Sequence, residues 1–509
     1  MRFIFRGALM LDVYSRFRLM VSMAPDAPCL IHAGMTWNYA EVLRRVELSA
    51  ACLRGLGVER GDRIAVLSEN SPLYTVVQLA CAKLGAMVAC MNWRLRESEL
   101  ESCLSVVAPK VLIRSSRYAD MSARLAGAVP AVLALSDACP ATGQLDTASV
   151  DAQSGDGLLI IFTSGTTGVP KAAVISHRAH IARMEVLRND LGLDAGDAFI
   201  AWSPMFHMGG SEHSLSSLMI GAPVVVQDGL DIPAMANVVT ERKVGWLLLV
   251  PATVEPLLHF LEQTASRPFG IKVVGCMPDL MPMETVRAAM RVLRAPFLNS
   301  FGSTETGLPP LSGGLLERKS VEIDLDKRMN SGCELRLMSP DGHQVADGAI
   351  GEAWVRGENV FSGYFRDGGI DRSVFRDGWF PMGDLLQHDG NGAYRFMGRS
   401  KYLIKSGGEN IYPAEIESVL LLDARVEDAV VVRRMDTRWG EVPVVFVVRR
   451  DPGLTREEVE MLCRSAIAGY KVPKDVFFVG EEDLPRNASG KIVREELEKR
   501  LQASTAGAG

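Results

Sequence analysis

The feature that most constrains this chain is a run of small polar residues between two apolar segments. Residues 158–162 are apolar, the next nine read TSGTTGVPK, and residues 172–175 are apolar again. Two apolar runs around a turn-forming segment predict strand, loop and strand. Glycines let backbone N–H groups turn inward, hydroxyl groups add donors, and Lys171 supplies a mobile positive charge. The stretch is therefore predicted to bind the phosphates of a nucleotide.

This loop differs from the phosphate loop of the P-loop NTPases. That loop has Gly-x4-Gly-Lys-Ser/Thr at the start of a helix. Here the two glycines are three residues apart, the lysine follows three residues after the second, and Ala172 comes next. On this stretch alone, a flexible surface hairpin rich in Ser, Thr and Gly is the structural alternative. The stretches described below favour the nucleotide site.

Length and composition limit the kind of protein that carries this loop. At 509 residues and 48% apolar, the chain is too long for one core, and its length indicates about three domain-sized units. The net charge of −6 gives no excess that would favour nucleic acid or an anionic membrane. The nine cysteines include no CxxC pair, which favours buried free thiols in a reducing compartment. The eight histidines show no metal-ligand spacing either. The expected partners are small molecules.

The N-terminus does not have the pattern of a secretory signal. Its short apolar patch is interrupted by Arg6, Asp12 and Arg16, and no small-residue cleavage site follows. No apolar run approaches the ~18 residues of a membrane-spanning helix. We therefore expect a cytoplasmic protein without a transmembrane segment, which contacts membrane only if its substrate is lipidic.

Residues 36–150 alternate helical and strand patterns, as in a parallel sheet covered by helices. The expected elements are a helix over 37–56, a strand over 63–67, a helix over 73–85 and a strand over 86–91. After the loop, Ser176 is the predicted N-cap of a helix that ends near residue 189. Further short strands are expected at 198–202, 224–227, 246–250 and 273–276. A second doubly wound unit is the simplest explanation.

The rest of the chain changes texture twice. Residues 334–394 contain short strand patterns between Gly and Asp turns, which predicts a small β-barrel. Residues 399–509 predict a compact α+β domain, with a helix over 413–422, strands over 429–433 and 442–449, and a helix from Thr455 to about 468. The predicted fold class is α/β: a large N-terminal domain of two doubly wound α/β subdomains plus a small β-barrel, followed by a small α+β C-terminal domain.

Four further stretches have the composition of functional sites. They are NSFGSTETG at 299–307, WFPMGD at 379–384, GRSKYLIKSGGENI at 398–411 and PRNASGKIVR at 485–494. Taken singly, each has a structural explanation as a cap, a turn, a solvated link or a loop. Together with the phosphate loop, in this order and spacing, they resemble the adenylate-forming superfamily of acyl-CoA synthetases, peptide-synthetase adenylation domains and beetle luciferases. The resemblance covers nearly the whole chain.

The resemblance implies an ATP site with bound Mg²⁺. Phe301 would lie against one face of adenine, and the backbone of residues 276–278 would lie against the other face. Asp384 would accept hydrogen bonds from both ribose hydroxyls, with Arg399 as a third polar contact. The implied ATP-binding residues are Thr163, Ser164, Gly165, Thr166, Thr167, Gly168, Lys171, Met277, Phe301, Gly302, Thr304, Asp384, Arg399 and Lys491. The implied catalytic residues are Lys491, Thr304, Glu305 and His207, and the implied metal ligands are Glu305 and Thr167.

The implied reaction has two halves. A carboxylate attacks the α-phosphorus of ATP, and the charge that develops on the phosphate oxygens needs Mg²⁺ and fixed cations rather than a covalent nucleophile. The resemblance then implies that a mobile C-terminal domain rotates about a hinge at Lys401. That rotation withdraws Lys491 and presents a CoA-binding face formed by Ser406, Gly407 and Gly408. The expected domains are residues 1–398, a hinge at 399–402 and residues 403–509. One departure is Tyr402, where many relatives carry an acidic residue.

The acid that is bound is less specified. The residues implied for the acyl pocket are Trp202, His207, Met208, Gly209, Cys276, Ser300 and Leu308. They offer apolar surface and little charge, which favours a hydrophobic monocarboxylic acid. For His207, a hydrogen-bonded loop histidine without a catalytic role is the alternative. The residues do not distinguish fatty, aryl, alicyclic and steroid-derived acids.

The function that these stretches imply is an ATP- and CoA-dependent acyl-CoA ligase with an acyl-adenylate intermediate. No aspartate for a substrate ammonium occurs between residues 201 and 211, and only about 18 residues follow Lys491, so a stand-alone ligase is preferred. An adenylate donor to a separate carrier protein and a luciferase-like oxidase are enzymatic alternatives. A non-catalytic nucleotide-binding protein is a third. The expected partners are a carboxylic acid, ATP and CoA, and a homodimer is left open.

Overall fold

The computed structural model describes residues 12–163, 170–318, 324–406, 409–487 and 492–506. The helices are α1 Val13–Met23, α2 Tyr39–Gly55, α3 Pro72–Leu84, α4 Glu97–Val107, α5 Ala119–Leu125, α6 Leu135–Ala138, α7 His177–Asp190, α8 Met208–Ile220, α9 Ile232–Glu241, α10 Pro251–Gln263, α11 Met283–Leu293, α12 Pro413–Leu421, α13 Arg456–Ala466 and α14 Arg494–Ala506. In the part of the chain that is described, no helix is both long and apolar enough to cross a membrane.

The strands are numbered in chain order. The first fourteen are β1 Pro28–His32, β2 Met35–Asn38, β3 Arg63–Leu67, β4 Met87–Cys90, β5 Val111–Arg114, β6 Val132–Ala134, β7 Gly157–Thr163, β8 Lys171–Ser176, β9 Phe199–Ala201, β10 Val224–Val226, β11 Lys243–Leu248, β12 Gly270–Gly275, β13 Phe297–Leu298 and β14 Gly302–Ser303. The others are β15 Gly307–Pro310, β16 Leu315–Leu316, β17 Lys327–Arg328, β18 Cys333–Met338, β19 Ile350–Gly357, β20 Gly363–Arg366, β21 Gly369–Asp371, β22 Phe380–His388, β23 Ala393–Arg399, β24 Ile404–Ser406, β25 Glu409–Ile411, β26 Val426–Asp436, β27 Gly440–Arg449 and β28 Asp475–Val479.

The first sheet has eight strands in the order β21-β20-β8-β7-β4-β3-β5-β6. Strands β3 to β7 are parallel to one another, and β7 forms an antiparallel hairpin with β8 around the predicted phosphate loop. Alternate residues of β3 enter two different cores, since Ile64 packs with α2 and α3 while Ala65 packs with α4. Burial of both faces explains why these strands are apolar without interruption. The predicted parallel sheet and the two strands on either side of the predicted phosphate loop are confirmed.

The second sheet is built in two halves, β2-β1-β10-β9 and β11-β12-β13-β16. A parallel bridge between Ala198 and Val244 joins the two halves. Helices α9, α10 and α11 cover it, and their apolar faces form a second core with residues of β11 to β13. Helix α7 begins after Ser176, whose side chain accepts from the Ala179 N–H, as predicted. The second doubly wound unit is therefore confirmed.

A third, antiparallel sheet has the order β17-β23-β22-β19-β18 and corresponds to the predicted β module. One part of that stretch lies elsewhere. The hairpin β20–β21 pairs with β8 at the edge of the first sheet, with Tyr364 opposite Ala173 and Phe365 opposite Ala172. Phe365 is buried there, so its apolar contacts with the first sheet decide the location of the hairpin.

The C-terminal part forms the sheet β25-β24-β27-β26, and β28 pairs with β27. Helices α12 and α13 cover one face, and α14 contributes to the core on the other. Thr455 and Glu458 form the predicted capping box of α13. An ion pair of 2.7 Å between Arg450 and Glu255 links this part to α10. The fold is α/β with a large N-terminal domain and a small C-terminal domain, as predicted.

Candidate active site

Two chain segments follow directly on neighbouring parallel strands. Strands β12 and β13 are parallel, with Val274 opposite Phe297, and residues 276–278 and 299–301 directly follow them. Ligands of open α/β sheets bind in the crevice beyond the carboxyl ends of the strands. Phe301 is buried and its ring centroid lies 5.6 Å from that of Phe396 on β23. This crevice is where the sequence predicts adenine.

The turn that carries Thr304 and Glu305 joins β14 to β15. A Cβ at Gly302 would lie 2.0 Å from the Gly307 carbonyl oxygen, so the tight hairpin accepts only glycine there. The turn is held by Arg183 of α7, a residue that the sequence analysis missed. The Arg183 Nη2 atom donates to the carbonyl oxygens of Glu305 at 2.9 Å and of Thr304 at 3.3 Å.

Arg183 is a buried charge that is fully partnered. Its side chain is 2% exposed and forms an ion pair with Glu212 of α8, which is 1% exposed. Its Nε donates to the Asn359 carbonyl oxygen at 2.8 Å. Burial raises the pKa of Glu212, while the nearby Arg183 opposes that rise. A charge that stays buried needs this number of partners.

The Glu305 carboxylate is positioned by Tyr364 of β20. The Tyr364 hydroxyl donates to Glu305 Oε1 at 2.8 Å, and Lys171 Nζ lies 5.2 Å from the centroid of the Tyr364 ring. Burial, together with the nearby Glu305 carboxylate, raises the pKa of Tyr364, so the hydroxyl keeps its proton and donates. The pairing of β20 with β8 therefore brings Tyr364 into contact with both Glu305 of the turn and Lys171 of β8.

The Glu305 site fits Mg²⁺ by the chemistry of its donors. Mg²⁺ is usually bound by one or two carboxylates and by the phosphates of its substrate rather than by a cage of protein ligands. Glu305 supplies one half-buried carboxylate, and its hydrogen-bond partner Tyr364 is also contacted by Lys171. Among the described residues there is no cluster of three or more His, Cys, Asp or Glu side chains that could hold a metal.

Asp384 and Arg399 are brought together, as their predicted shared role requires. They are opposite each other on β22 and β23, and Arg399 Nε lies 2.7 Å from Asp384 Oδ1. Asp384 is buried, whereas 43% of the Arg399 side chain is exposed. Strand β23 also carries Phe396, which contacts Phe301 of the crevice.

His207 lies at the N-terminus of α8, in a loop that Asn70 organises. Asn70 follows β3, and its Nδ2 donates to the carbonyl oxygens of Ser203 at 2.8 Å and Gln227 at 2.9 Å. Its Oδ1 accepts from the Met205 N–H at 2.8 Å. The sequence analysis missed Asn70, although a polar residue at the carboxyl end of a parallel strand is a usable signal.

An aromatic group lies beside His207. The ring centroid of His207 is 4.5 Å from that of Phe206. Phe206 in turn makes an edge-on contact with Trp93, at a centroid distance of 5.6 Å. The Cζ atom of Arg94 lies 5.0 Å from the Trp93 ring and 5.9 Å from the Phe206 ring. The sequence analysis missed Trp93 and Arg94, because they lie far from every recognised stretch.

The other residues predicted for the acyl pocket fall into two groups. Met208 is partly buried and packs against the core of the first sheet, as does Met277, which is predicted for the ATP site. The Trp202 and Cys276 side chains instead lie in the core of the second sheet, with Trp202 Nε1 donating to the Leu248 carbonyl oxygen at 2.7 Å. Burial raises the pKa of the Cys276 thiol to about 12.

Three more residues are predicted for the acyl pocket. Ser300 is half-buried between Asn299 and Phe301. Leu308 is buried in a separate apolar cluster. At Gly209, a Cβ would lie 3.0 Å from Leu248 Cδ2.

Several predicted residues lie outside the described part of the chain. They are Ser164, Gly165, Thr166, Thr167, Gly168, Gly407, Gly408 and Lys491. Thr163 and Lys171, which flank the phosphate loop, pair directly in the β7–β8 hairpin.

Near the predicted hinge, Lys401 Nζ lies 3.0 Å from Glu495 Oε1, and the Tyr402 hydroxyl donates to the same oxygen at 3.2 Å. Ser406, which the sequence predicts to contact CoA, is buried at the end of β24.

Comparison with known proteins gives a consistent result. The sequence profile described as "AMP-binding enzyme" matches residues 17–365, and the profile "AMP-binding enzyme C-terminal domain" matches residues 415–491. The chain is 34% identical over 488 residues to an indoleacetate–CoA ligase of Aromatoleum aromaticum, covering 92% of this chain and 94% of the relative. It is 32% identical over 495 residues to a feruloyl-CoA synthase of an Amycolatopsis species, covering 94% and 97%.

A solved structure extends the comparison. The o-succinylbenzoate CoA synthetase of Bacillus subtilis in complex with its acyl-adenylate intermediate superposes with a TM-score of 0.81 at 25% identity. The match covers 96% of this chain and 98% of that one. The similarity therefore extends over both domains.

Proposed function

Because the chain belongs to the AMP-binding enzyme family and is an acid–thiol ligase of the acyl-CoA synthetase type, we propose that its substrate is an aromatic monocarboxylic acid. ATP converts the acid to an acyl-adenylate with release of pyrophosphate. The thiol of CoA then attacks the acyl carbonyl, and AMP leaves. The proposal concerns the acid and the roles of individual residues in these two steps.

One observation carries the assignment of roles: two contacts join stretches that are far apart in sequence. Tyr364 links Glu305 to the strand that begins with Lys171, and Phe396 links Phe301 to the strand that ends in Arg399. The alternative interpretation of the TSGTTGVPK stretch as a flexible surface hairpin does not account for these contacts. The contacts support a single site for phosphates, metal, base and ribose.

In the first step, the side chains act by position and charge. Lys171 neutralises charge on the departing pyrophosphate, and Thr304 donates to the α-phosphate. Asp384 accepts from the ribose hydroxyls while Arg399 fixes its carboxylate. Mg²⁺, when bound with ATP, would be held by Glu305 and Thr167 and would neutralise charge on the phosphate oxygens.

In the second step, the C-terminal domain rotates about Lys401, with residues 1–398 and 403–509 as the two bodies. Its catalytic lysine, Lys491, serves adenylation alone, and Gly408 serves CoA binding. Lys491→Ala is expected to slow adenylate formation about 10²–10³-fold, as for the loss of one preorganised donor. Thioester formation from pre-made acyl-adenylate and CoA should be nearly unchanged, and Gly408→Trp should show the reverse pattern. Equal slowing of both steps by Lys491→Ala would exclude the rotation.

The choice of an aromatic acid is supported by the surroundings of His207. Trp93, Met208 and Met277 are partly buried against the core that contains Phe206, and the related ligases named above act on indoleacetate and feruloyl groups. Aromatic rings and thioethers pack well against a flat, apolar acid. No Lys or Arg occurs in residues 202–210 or 276–278, so a second carboxylate would be unpaired there.

The test is a pyrophosphate-release screen with CoA over aryl, alicyclic, fatty and steroid-derived acids. The highest kcat/KM is expected for an arylacetate or arylacrylate. A fatty or steroid-derived acid with a higher value would exclude the aromatic assignment. Replacing CoA by a phosphopantetheinylated carrier protein distinguishes the carrier-loading alternative. A homodimer and a cytoplasmic location stay predictions.

A second candidate substrate is an aromatic acid with a distal carboxylate. It is favoured by Arg94, whose guanidinium lies against Trp93 and Phe206. A 2-succinylbenzoate–CoA ligase of Bacillus cereus is 32% identical to this chain over 488 residues. If the diacid is the substrate, Arg94→Gln should raise its KM about tenfold and leave the KM of a monocarboxylate unchanged.

A further inference from the structure

One buried charge near the nucleotide crevice has no part in the steps above. Lys327, on β17, is fully buried. Its Nζ donates to Asp279 Oδ2 at 2.5 Å and to Asn299 Oδ1 at 2.6 Å. Burying an ammonium group costs several kcal/mol unless paired and hydrogen-bonded groups compensate it. Such a group therefore fixes the positions of its partners.

The two partners of Lys327 adjoin or belong to the two segments, 276–278 and 299–301, that are proposed to lie on either side of the base and are here called its two walls. Asp279 directly follows residues 276–278, and Asn299 is the first residue of 299–301. Lys327 reaches them from the third sheet, where it pairs with Tyr394 of β23. One ammonium group thus ties both walls to a separate sheet.

The environment of the ammonium group leaves little freedom. Asn299 Nδ2 donates to the carbonyl oxygens of Leu325 at 2.8 Å and Asp326 at 3.2 Å, so its amide is fixed from both ends. Lys327 Nζ also lies 5.9 Å from the centroid of the Phe301 ring. Charge-assisted hydrogen bonds are short and directional, so they hold geometry better than apolar packing does.

We propose that Lys327 is a positioning residue of the nucleotide site: through Asp279 and Asn299 it sets the separation of the two walls between which the base is stacked. The inference rests on the proposed function, specifically on adenine lying between Phe301 and residues 276–278. A fixed separation favours one planar base at one depth. Loss of Lys327 should therefore weaken nucleotide binding and the preference for adenine, without affecting the acid.

The test compares three variants. Lys327→Met removes the ammonium group, Asp279→Asn removes the charge of its partner, and Lys83→Met is the matched control. Lys83 is also buried and ion-paired, with Glu47 on α2, and neither residue is assigned to the site. Its loss should lower the unfolding temperature without changing nucleotide binding.

The measurements are the Kd of AMP by calorimetry and the ratio of kcat/KM for ATP to that for GTP. Lys327→Met is expected to raise the AMP Kd about tenfold, which corresponds to about 1.4 kcal/mol. It should also lower the ATP/GTP ratio and leave the KM of the acid unchanged. Asp279→Asn should change both quantities in the same direction by a smaller factor. If Lys327→Met does not fold, the result for Asp279→Asn decides whether the positioning role holds.

Two results would overturn the inference: an AMP Kd within about twofold of wild type in both site variants, or an equal loss in Lys83→Met. Phe301→Ala separates this failure from failure of the underlying site. If Phe301→Ala leaves AMP binding unchanged, the adenine crevice is wrongly assigned. If it weakens AMP binding while Lys327→Met does not, only the positioning role fails.

Discussion

Replacing Arg183 tests whether the turn that carries Thr304 and Glu305 must be held from its buried side. The guanidinium, 2% exposed, donates to the carbonyl oxygens of Glu305, Thr304 and Asn359 at 2.9, 3.3 and 2.8 Å. Glu212 balances its charge. These contacts orient a turn whose side chains we assign to the α-phosphate and the metal.

The size of the effect follows from these contacts. Arg183→Met leaves Glu212 buried without its partner, which is expected to cost about 3–5 kcal/mol of stability. Replacing both partners, as in Arg183→Met with Glu212→Leu, should recover most of that loss, because no unpaired charge remains. The hydrogen bonds to the turn are absent in both variants. A displacement of about 1 Å at the turn would slow adenylation roughly 10²-fold.

The assay is ATP–pyrophosphate exchange, measured with the unfolding temperature of each protein. The double variant should be near wild type in stability and about 10²-fold slower in exchange. If the double variant is stable and its exchange rate lies within about threefold of wild type, the Arg183 contacts serve folding alone and the reasoning is refuted.

Single contacts lead to three more expected results. Asp384→Ala should weaken AMP binding by roughly 1.5–3 kcal/mol per lost hydrogen bond with an unchanged circular-dichroism spectrum, and an unchanged AMP Kd would argue against the ribose contact. Tyr364→Phe removes the donor to Glu305, so half-maximal adenylation should need more Mg²⁺; an unaltered Mg²⁺ titration would count against it. His213 has a pKa that burial lowers to about 3, whereas the unfolded chain takes up that proton near pH 6.5. As the pH falls below 6.5, the unfolded chain is protonated at His213 and the folded protein is not, so the folded protein loses about 2 kcal/mol of stability by pH 5. His213→Phe should remove this loss from the pH dependence of the unfolding temperature.

The sequence predicted the elements whose signals are local. The apolar runs around the phosphate loop are the strands β7 and β8, and the capping box at Thr455 begins α13. Asp384 and Arg399 were assigned to one site from separate stretches, and the structure pairs them. In each case neighbouring residues, or a recognised motif, carry the information.

The residues that the sequence missed are buried polar groups with distant partners. Arg183, Asn70 and Lys327 read as ordinary solvent-exposed residues, because charged and amide side chains are mostly found at the surface. Their burial depends on carbonyl and carboxylate groups more than 25 positions away in the chain. The same limit applies to the hairpin at 363–371, whose strand signals are clear but whose partner, β8, belongs to the first sheet and not to the third sheet that its sequence neighbours form.

The central claim is that the acid is activated by attack of its carboxylate on the α-phosphorus of ATP. The most direct measurement uses an accepted acid labelled with oxygen-18 in both carboxyl oxygens, with unlabelled ATP and CoA. The account predicts that each turnover places one oxygen-18 atom in AMP and none in pyrophosphate, as read by mass spectrometry. Unlabelled AMP, or release of ADP with labelled phosphate, would contradict it.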